Sequence, residues 1–260
     1  MLRPPGVVSW LRRRVNPLFL LGAANLVLLF LLWLGLSESG VVPRLFLPSP
    51  AEVLTRFGQV RGELAENTGL TLLRVILGFG LGCGLGLAIA LLSGWSRDVQ
   101  RALEPVVQIL KPIPPIAIAP FTLLWFGLGL SGILFLVAWG CFFIVLVDAT
   151  EAIRNVPKVY GWAASTLGAT RLQTYLRVVL PATLPGILGG LRVALVIAFN
   201  QALLGEFNSA SGGIGEIIIK GYRFNRVDLL FLGVLIMVVL AVVADQVLTY
   251  SFRRAVRWAN

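Results

Sequence analysis

The segment Gly161–Pro181, GWAASTLGATRLQTYLRVVLP, mixes polar, basic and apolar residues in a chain that is otherwise dominated by long apolar runs. Pro157, just ahead of it, suits the first turn of a helix. Gly168 occupies the position that is typical of a glycine at a helix C-terminus. Thr170 and Gln173 match the T-x-x-Q capping box with which a second helix would begin. The segment therefore predicts two short helices joined by a glycine turn.

Two prolines follow the second predicted helix. Pro181 and Pro185 are expected to close the unit, because proline lacks the amide N–H that an α-helix needs. Considered alone, this helix–turn–helix pattern fits a passive amphipathic connector at the membrane surface as well as it fits a functional contact site.

The composition indicates a membrane protein. Of 260 residues, 57% are hydrophobic, above the roughly 45–50% of soluble domains, and the mean hydropathy is +0.88. The net charge of +10 is spread between apolar runs, which argues against a nucleic-acid partner, since that requires a basic patch on a soluble surface. The chain has no His, and Cys83 and Cys141 lie in apolar runs, so neither a metal site nor a disulfide framework is predicted.

Six apolar segments are long enough to cross a membrane. They predict an all-α polytopic protein with spans at about 17–36, 70–93, 105–126, 130–149, 185–205 and 228–249. The first run is longer than the apolar region of a signal peptide, so we expect a retained span. The predicted organisation is a cytoplasmic segment at 1–16 followed by one transmembrane domain at 17–260.

The placement of Lys and Arg predicts the orientation. When both termini are placed in the cytoplasm, the cytoplasmic segments hold roughly twice as many basic residues as the outer ones, as the positive-inside rule requires. This N-in, C-in topology puts Gly161–Pro181 on the cytoplasmic side.

The same segment carries a family resemblance. Its spacing, Ala163-Ala164-x3-Gly168-x9-Val178-x-Leu180-Pro181, resembles the E-A-A-x3-G-x9-I-x-L-P loop of ABC importer permeases. Val178 is a near match to the Ile, and Trp162 replaces the Glu.

Three further stretches resemble the nitrate, sulfonate, taurine and bicarbonate branch of that family. They are LFLPSPAEVL at 45–54, LKPIPPIAIAPFTLLWFGLG at 110–129, and the terminal SFRRAVRW. Thiamin-precursor and riboflavin permeases share much of this pattern. The resemblance implies the permease fold of type I importers and a small anionic solute, with a thiamin precursor or riboflavin as the alternative.

The resemblance also implies partners. Two permease copies, expected to form a homodimer, would work with cytoplasmic ABC ATPase subunits and an extracytoplasmic substrate-binding protein, within the lipid of a bacterial inner membrane. The chain contains no G-x-x-x-x-G-K-[ST] phosphate loop. It is therefore expected to be a non-catalytic subunit without a cofactor, with ATP and Mg bound by the partner ATPase. The loop at about 150–184, which includes Trp162, Ala163, Ala164, Gly168, Val178, Leu180 and Pro181, would couple to that ATPase.

Glycines in the second span predict a close helix contact. Gly78, Gly82 and Gly86 recur at i, i+4 spacing, with Gly80 and Gly84 on a neighbouring face. Such a face lets two helices approach closely. It could serve static packing or a seam that changes contacts during transport.

Prolines and amides suggest a solute path. Pro112, Pro114 and Pro115 in the third span predict either a kink or a broken helix lining a cavity, with Lys111 nearby reaching towards lipid phosphates or attracting an anion. Asn200 and Gln201 in the fifth span are candidates for solute contact or for helix–helix hydrogen bonds.

An acidic residue near the outer end of the fifth span requires a partner. Glu206 is expected to pair with Arg223 or Arg226 in a structural or gating role. Lys220 with these two arginines would form a basic rim that attracts an anion or an acidic binding-protein surface. From other classes, a proton-coupled secondary transporter or a passive assembly scaffold stays open.

Overall fold

The computed structural model describes residues 17–209 and 211–256, and this part of the chain is helical without any strand. In chain order the helices are α1 (Pro17–Glu38), α2 (Pro50–Trp95), α3 (Arg97–Leu110), α4 (Pro115–Phe126), α5 (Leu130–Arg154), α6 (Lys158–Thr166), α7 (Arg171–Thr174), α8 (Leu180–Asn208), α9 (Ile214–Arg223) and α10 (Val227–Ala255), with a π-helical turn at Tyr175–Val179 between α7 and α8. The predicted segment at 1–16 lies outside the described residues.

Helix α2 is much longer than the predicted span at 70–93. Its 46 residues begin after Ser49, whose side chain accepts a hydrogen bond from the Glu52 amide while Glu52 accepts one from the Ser49 amide. This capping box satisfies the Ser49 and Glu52 amides, which have no partner within the helix. At 1.5 Å per residue the helix is about 69 Å long, roughly twice the hydrocarbon thickness of a bilayer, so its N-terminal half extends beyond the membrane.

The third predicted span is a broken one. α3 and α4 meet at an angle of 93° across residues 111–114. Pro112 and Pro114 explain the break, because each removes an amide donor and disfavours the helical conformation of the residue before it. The predicted bend is confirmed.

Contacts at the two ends of the bundle establish the path of the chain. The Tyr175 hydroxyl donates to the Leu91 carbonyl at 2.6 Å, so α2 ends beside the loop that contains α6 and α7. Gly127, after α4, lies in one small cavity with Ser209, after α8. The bent α3–α4 pair therefore starts on the loop side and ends on the opposite side. Counted as one span it gives six crossings, in agreement with the predicted number.

The core lies around α5, which packs between α2 and α8. Val137, Cys141 and Val145 of α5 and Ala194 and Ala198 of α8 are at most 1% exposed. α1 is peripheral: most of its described side chains are exposed, and it contacts α10 through stacking of Trp33 on Phe231. A helix that is apolar on all sides and largely exposed is typical of a surface that faces lipid.

The glycine seam of α2 makes the predicted close helix contact, and the helix that it contacts is α5. A Cβ added to Gly78 would lie 2.5 Å from the Val137 Cβ, and one added to Gly86 would lie 2.7 Å from the Phe142 carbonyl oxygen. Gly82 is equally tight against Ala138 and Cys141. A Cβ at Gly80 or Gly84 would meet nothing within 4 Å, because these glycines are on the open face. Close approach to α5 therefore requires glycine at the three seam positions but not at Gly80 or Gly84.

Candidate functional site

The loop after α5 has the predicted helix–turn–helix form. Gly168 follows α6 with φ +78°, in the left-handed region that favours glycine. Thr170 then caps α7: its hydroxyl accepts from the Gln173 amide, and the Gln173 side chain accepts from the Thr170 amide. The Ala169 amide donates to the Ala164 carbonyl at 3.0 Å, which fixes the turn. Every one of these signals is local in sequence, which is why the pattern could be identified.

The prediction that Pro181 and Pro185 end the second helix was wrong. The chain stays helical from Arg171 to Asn208. A π turn at Tyr175–Val179 precedes Pro181, and the Leu180 amide donates to the Tyr175 carbonyl five residues earlier. This wider turn changes the register of the backbone hydrogen bonds just ahead of Pro181, where proline has no amide to contribute. The loop and α8 consequently form one continuous helical rod.

The loop is also fastened to the end of α2. Arg171 donates to the Trp95 carbonyl oxygen at 2.7 Å, and its guanidinium lies 4.9 Å from the centre of the Trp95 ring. Tyr175 packs edge-on against the same ring at 5.3 Å. The cation–π and hydrogen-bond contacts together hold α7 against α2. Sequence reasoning did not identify this latch, because its halves are 76 residues apart.

The residues of the family-like pattern lie on different sides of the loop. Trp162, Ala163 and Gly168 are exposed, Ala164 is buried, and Val178, Leu180 and Pro181 are partly buried. Ala163, Ala164, Gly168 and Val178 line a shallow cavity of about 520 Å³. Leu167, at the tip, is 87% exposed, and Trp162 is 68% exposed. Large apolar side chains that are exposed on a loop outside the membrane spans indicate a surface for another protein.

The break between α3 and α4 borders a second cleft, of about 510 Å³, whose other walls are α5 and α8. Pro115, Lys111 and Gln201 line it together with Asp148 of α5. Pro112 and Pro114 are exposed in the break itself. Asn200 is exposed on another face of α8 and is not among the lining residues. Of the two predicted amides, the structure brings only Gln201 to the cleft.

The predicted pairing of Glu206 with Arg223 or Arg226 was wrong. Glu206 is fully buried, and its carboxylate accepts from Arg74 of α2 at 2.7 Å. It also accepts from the Thr71 hydroxyl and, at 2.8 Å, from the Gly215 amide. A buried carboxylate requires such compensation, and Arg74 is the cation that α2 presents at that level of the membrane.

The remaining contacts of this cluster hold the segment between α8 and α9. Arg74 also donates to the carbonyls of Ser211 and Gly212. Asn67 and Thr71 accept from the amides of Gly213 and Ile214, so α2 caps the N-terminus of α9. Asn67, Thr71 and Arg74 lie at i, i+4 and i+7, one polar stripe on α2, and this spacing was the signal available in the sequence.

The predicted basic rim is largely neutralised. Lys220 pairs with Glu216 at 2.8 Å, and this hydrogen bond lowers the pKa of Glu216, which lies outside the spans. Arg226 lies 3.7 Å from Asp228. Arg223 is exposed at the end of α9. Two of the three predicted rim residues, Lys220 and Arg226, are therefore compensated by neighbouring carboxylates, so the rim is less positive than the sequence suggested.

A helical bundle with a broken span at membrane depth is a feature of transport proteins, in which discontinuous helices line a cavity. The chain belongs to the family of binding-protein-dependent transport system inner membrane components, whose model matches residues 80–257. It is thus a multi-pass inner-membrane protein, and the all-α permease fold predicted from the sequence is confirmed.

Relatives and solved structures agree with this assignment. The chain is 32% identical to SsuC of Bacillus subtilis, named for aliphatic sulfonates transport, over 88% of this chain and 84% of that protein. It is 27% identical to the taurine transport system permease protein TauC of Escherichia coli, over 92% and 89%. The MetNI methionine ABC transporter shares the fold with a TM-score of 0.63 at 21% identity, over 78% of this chain and 98% of that one.

Proposed function

We propose that this chain forms half of the transmembrane path of an ATP-driven importer for a small organic anion of the sulfonate or taurine type. Two relatives named for sulfonate and taurine transport support the solute class. They favour it over nitrate, bicarbonate, thiamin precursors or riboflavin. In this proposal an extracytoplasmic binding protein delivers the solute, and a second copy of the chain completes the path.

Of the predicted loop at about 150–184, residues 155–179 connect α5 to α8 and are the proposed ATPase contact, called the coupling loop below; Leu180 and Pro181 begin α8. The helices of the coupling loop present Trp162, Leu167 and Leu172 to solvent with at least half of each side chain exposed. A cleft in the ATPase would cover these apolar side chains, and their burial would stabilise the complex by about 25 cal/mol per Å². ATP and Mg would be bound entirely by that partner, which would leave this chain non-catalytic.

The observation that carries the proposal is the rigid attachment of the coupling loop at two places. α7 continues through the π turn into α8, and Arg171 with Tyr175 holds it to Trp95 at the end of α2. A displacement of the loop would therefore move both spans, whereas a flexible loop would absorb it. A proton-coupled mechanism is less well supported, because the fully buried Glu206 is already paired with Arg74.

The test compares two substitutions at Gly168. Its φ of +78° disfavours most side chains, and β-branched ones above all. A Cβ there would meet nothing within 4 Å, so a substitution perturbs only the backbone conformation. Gly168→Val is expected to cost about 1–3 kcal/mol of local strain, whereas Asn tolerates this conformation. We expect normal membrane abundance for both variants, with ATPase co-purification and solute uptake lost in Val and partly kept in Asn. Wild-type uptake in Gly168→Val would refute the coupling role.

A further inference from the structure

We infer that one exposed face of α8 is the surface at which two copies of this chain meet, and that the Asn200 amides of the two copies hydrogen-bond to each other there. Four residues define this surface, called the α8 face below: Gly189, Val193, Val196 and Asn200. The inference rests on the proposed function, because it names the surface through which the second copy would complete the path.

The α8 face is the unpartnered side of the helix. Its residues recur at i, i+4, i+7 and i+11, so their side chains lie on one side of α8. All four are exposed, and Val193 and Val196 are 53% and 52% accessible. The side turned towards α5 is closely packed instead, since the Cys141 thiol donates to the Ala194 carbonyl oxygen at 3.3 Å. The described part of a single chain therefore leaves the α8 face uncovered.

Asn200 is the first reason to expect protein rather than lipid on this face. It lies in the run 193–205, which contains no charged residue, about 9 Å along α8 from the buried Glu206. Its side chain is exposed and makes no hydrogen bond within the residues that the structure describes. An unpartnered amide is strongly unfavourable in hydrocarbon, and membrane proteins satisfy such amides by hydrogen bonds between helices.

The ion pair at the edge of the α8 face is the second reason. Arg192 donates to both carboxylate oxygens of Asp245 in α10, each at 2.7 Å, yet half of the arginine side chain is exposed. Charged groups within membrane spans almost always face protein or a water-filled cavity. Because the two-pronged contact with Asp245 fixes the guanidinium, Arg192 does not extend to the lipid headgroups. The surface beside it is therefore expected to be covered.

The break between α3 and α4 opens on the same side of α8. Val193 belongs to the α8 face and also lines the cleft that the break borders. Pro112 and Pro114 are exposed in the break, and irregular backbone at membrane depth is tolerated only where protein or a water-filled cavity covers it. The cleft is thus incomplete in one copy of the chain, and a second helix placed over the α8 face would close it.

A second copy of the chain fits this face better than an unrelated helix. In a two-fold symmetric dimer, each residue beside the axis meets the same residue of the other copy. A carboxamide carries both donor and acceptor atoms, so Asn200 is complementary to itself. Arg192 would be repelled by its own copy, but it lies at the edge of the face and is neutralised by Asp245. An added Cβ at Gly189 would meet nothing within 4 Å, which leaves room for the approaching helix.

The experiment is oxidative cross-linking of the full chain in membranes that also contain its ATPase. Copper phenanthroline is the catalyst and oxygen the oxidant: two thiols, one from each copy, lose two protons and two electrons and form one disulfide bond. Val196→Cys places a thiol on the α8 face. The native Cys83 and Cys141 are buried, so the parent chain should not link.

Val243→Cys on α10 is the matched control. Val243 is 54% exposed, and it precedes Asp245 by two positions, which places it about 200° around the helix from that carboxylate. Its thiol would therefore lie near the level of the Arg192 pair but on the side of α10 turned away from α8. We expect Val196→Cys to form linked dimers at least tenfold faster than Val243→Cys.

The amide itself is tested in the Val196→Cys chain. Adding Asn200→Leu removes the hydrogen-bonding group at similar volume and should slow linkage at least fivefold. Adding Asn208→Leu instead should leave the rate unchanged, because the Asn208 amide bonds within its own helix to the Leu204 carbonyl oxygen. Linkage at Val196→Cys no faster than at Val243→Cys, or a rate that Asn200→Leu does not change, would overturn the inference.

Uptake of a sulfonate by the unmodified chain, in complex with its ATPase and binding protein, is measured separately. Uptake without linkage at the α8 face would leave the proposed function standing and place the contact between copies elsewhere. Linkage without sulfonate uptake would support the α8 face and refute the proposed solute class.

Discussion

The packing of α2 against α5 can be tested with two alanine substitutions on one helix. A Cβ added to Gly82 would lie 2.9 Å from both the Ala138 Cα and the Cys141 Cβ, and closer still to the Ala138 carbonyl oxygen. Two of these three atoms are backbone, so no rotamer change relieves the contact. Gly84, two residues further along, has nothing within 4 Å of its added Cβ. Gly84→Ala is therefore a matched control with the same change in composition.

The expected magnitude follows from this geometry. A carbon–carbon contact at 2.9 Å must lengthen by about 0.6 Å or more to reach the optimal 3.5–4.0 Å, so α2 and α5 must separate at their closest point. Overpacking of this kind costs about 1–3 kcal/mol. Alanine in place of an exposed helical glycine gains up to about 1 kcal/mol in water. Both variants gain this helix term, so it cancels between them, and they should differ in unfolding free energy by the overpacking cost of about 1–3 kcal/mol.

Thermal denaturation of the purified permease in detergent measures this difference. A chain of this size loses roughly 2–4 °C of Tm per kcal/mol, so Gly82→Ala should melt several degrees below Gly84→Ala, and Gly84→Ala should melt at or above wild type. Each variant is followed by loss of the folded peak in size-exclusion chromatography after heating. If Gly82→Ala has the same Tm as Gly84→Ala, and both melt at or above wild type, the seam is not the tight contact described above.

Two further outcomes test the buried pair and the latch. Glu206→Gln leaves Arg74 as an uncompensated buried charge, which costs about 3–5 kcal/mol. This variant should therefore have a sharply lower membrane abundance and Tm. The double variant that also carries Arg74→Met should recover part of both. Unchanged abundance in Glu206→Gln would contradict a structural role for the pair. Arg171→Lys keeps the charge but loses the planar stacking on Trp95, so uptake per ATP hydrolysed should fall while abundance and ATPase co-purification stay normal. A normal coupling ratio would exclude the latch from force transmission.

The parts of the structure that were predicted correctly depend on local chemistry. Thr170 and Gln173 cap a helix because they are three residues apart, and Gly168 turns the chain by its own conformational freedom. The i, i+4 spacing of Gly78, Gly82 and Gly86 likewise defines one face of a helix before any partner is known. Such signals are complete within about ten residues, so a sequence contains all the information they need.

The wrong predictions concern effects that reach beyond the local sequence. Pro181 usually ends a helix, but the π turn ahead of it lets the helix continue. Glu206 was assigned a partner from the nearest basic residues along the chain, whereas its real partner, Arg74, is 132 residues away. Both helices place these groups at one level of the membrane, and one sequence alone does not provide that register.

The glycine seam, the latch and the π turn have one mechanical consequence. α2 is held to α5 by close backbone contact and to the coupling loop by Arg171 and Trp95. The coupling loop in turn runs without interruption into α8. Packed elements of this kind move as a unit, because close-packed interiors deform little. The α3–α4 pair lacks such continuity, since its helices are separated by a 93° break. Relative motion driven from the loop would therefore be concentrated where α3 and α4 face α5 and α8, which is the cleft that contains Lys111, Asp148 and Gln201.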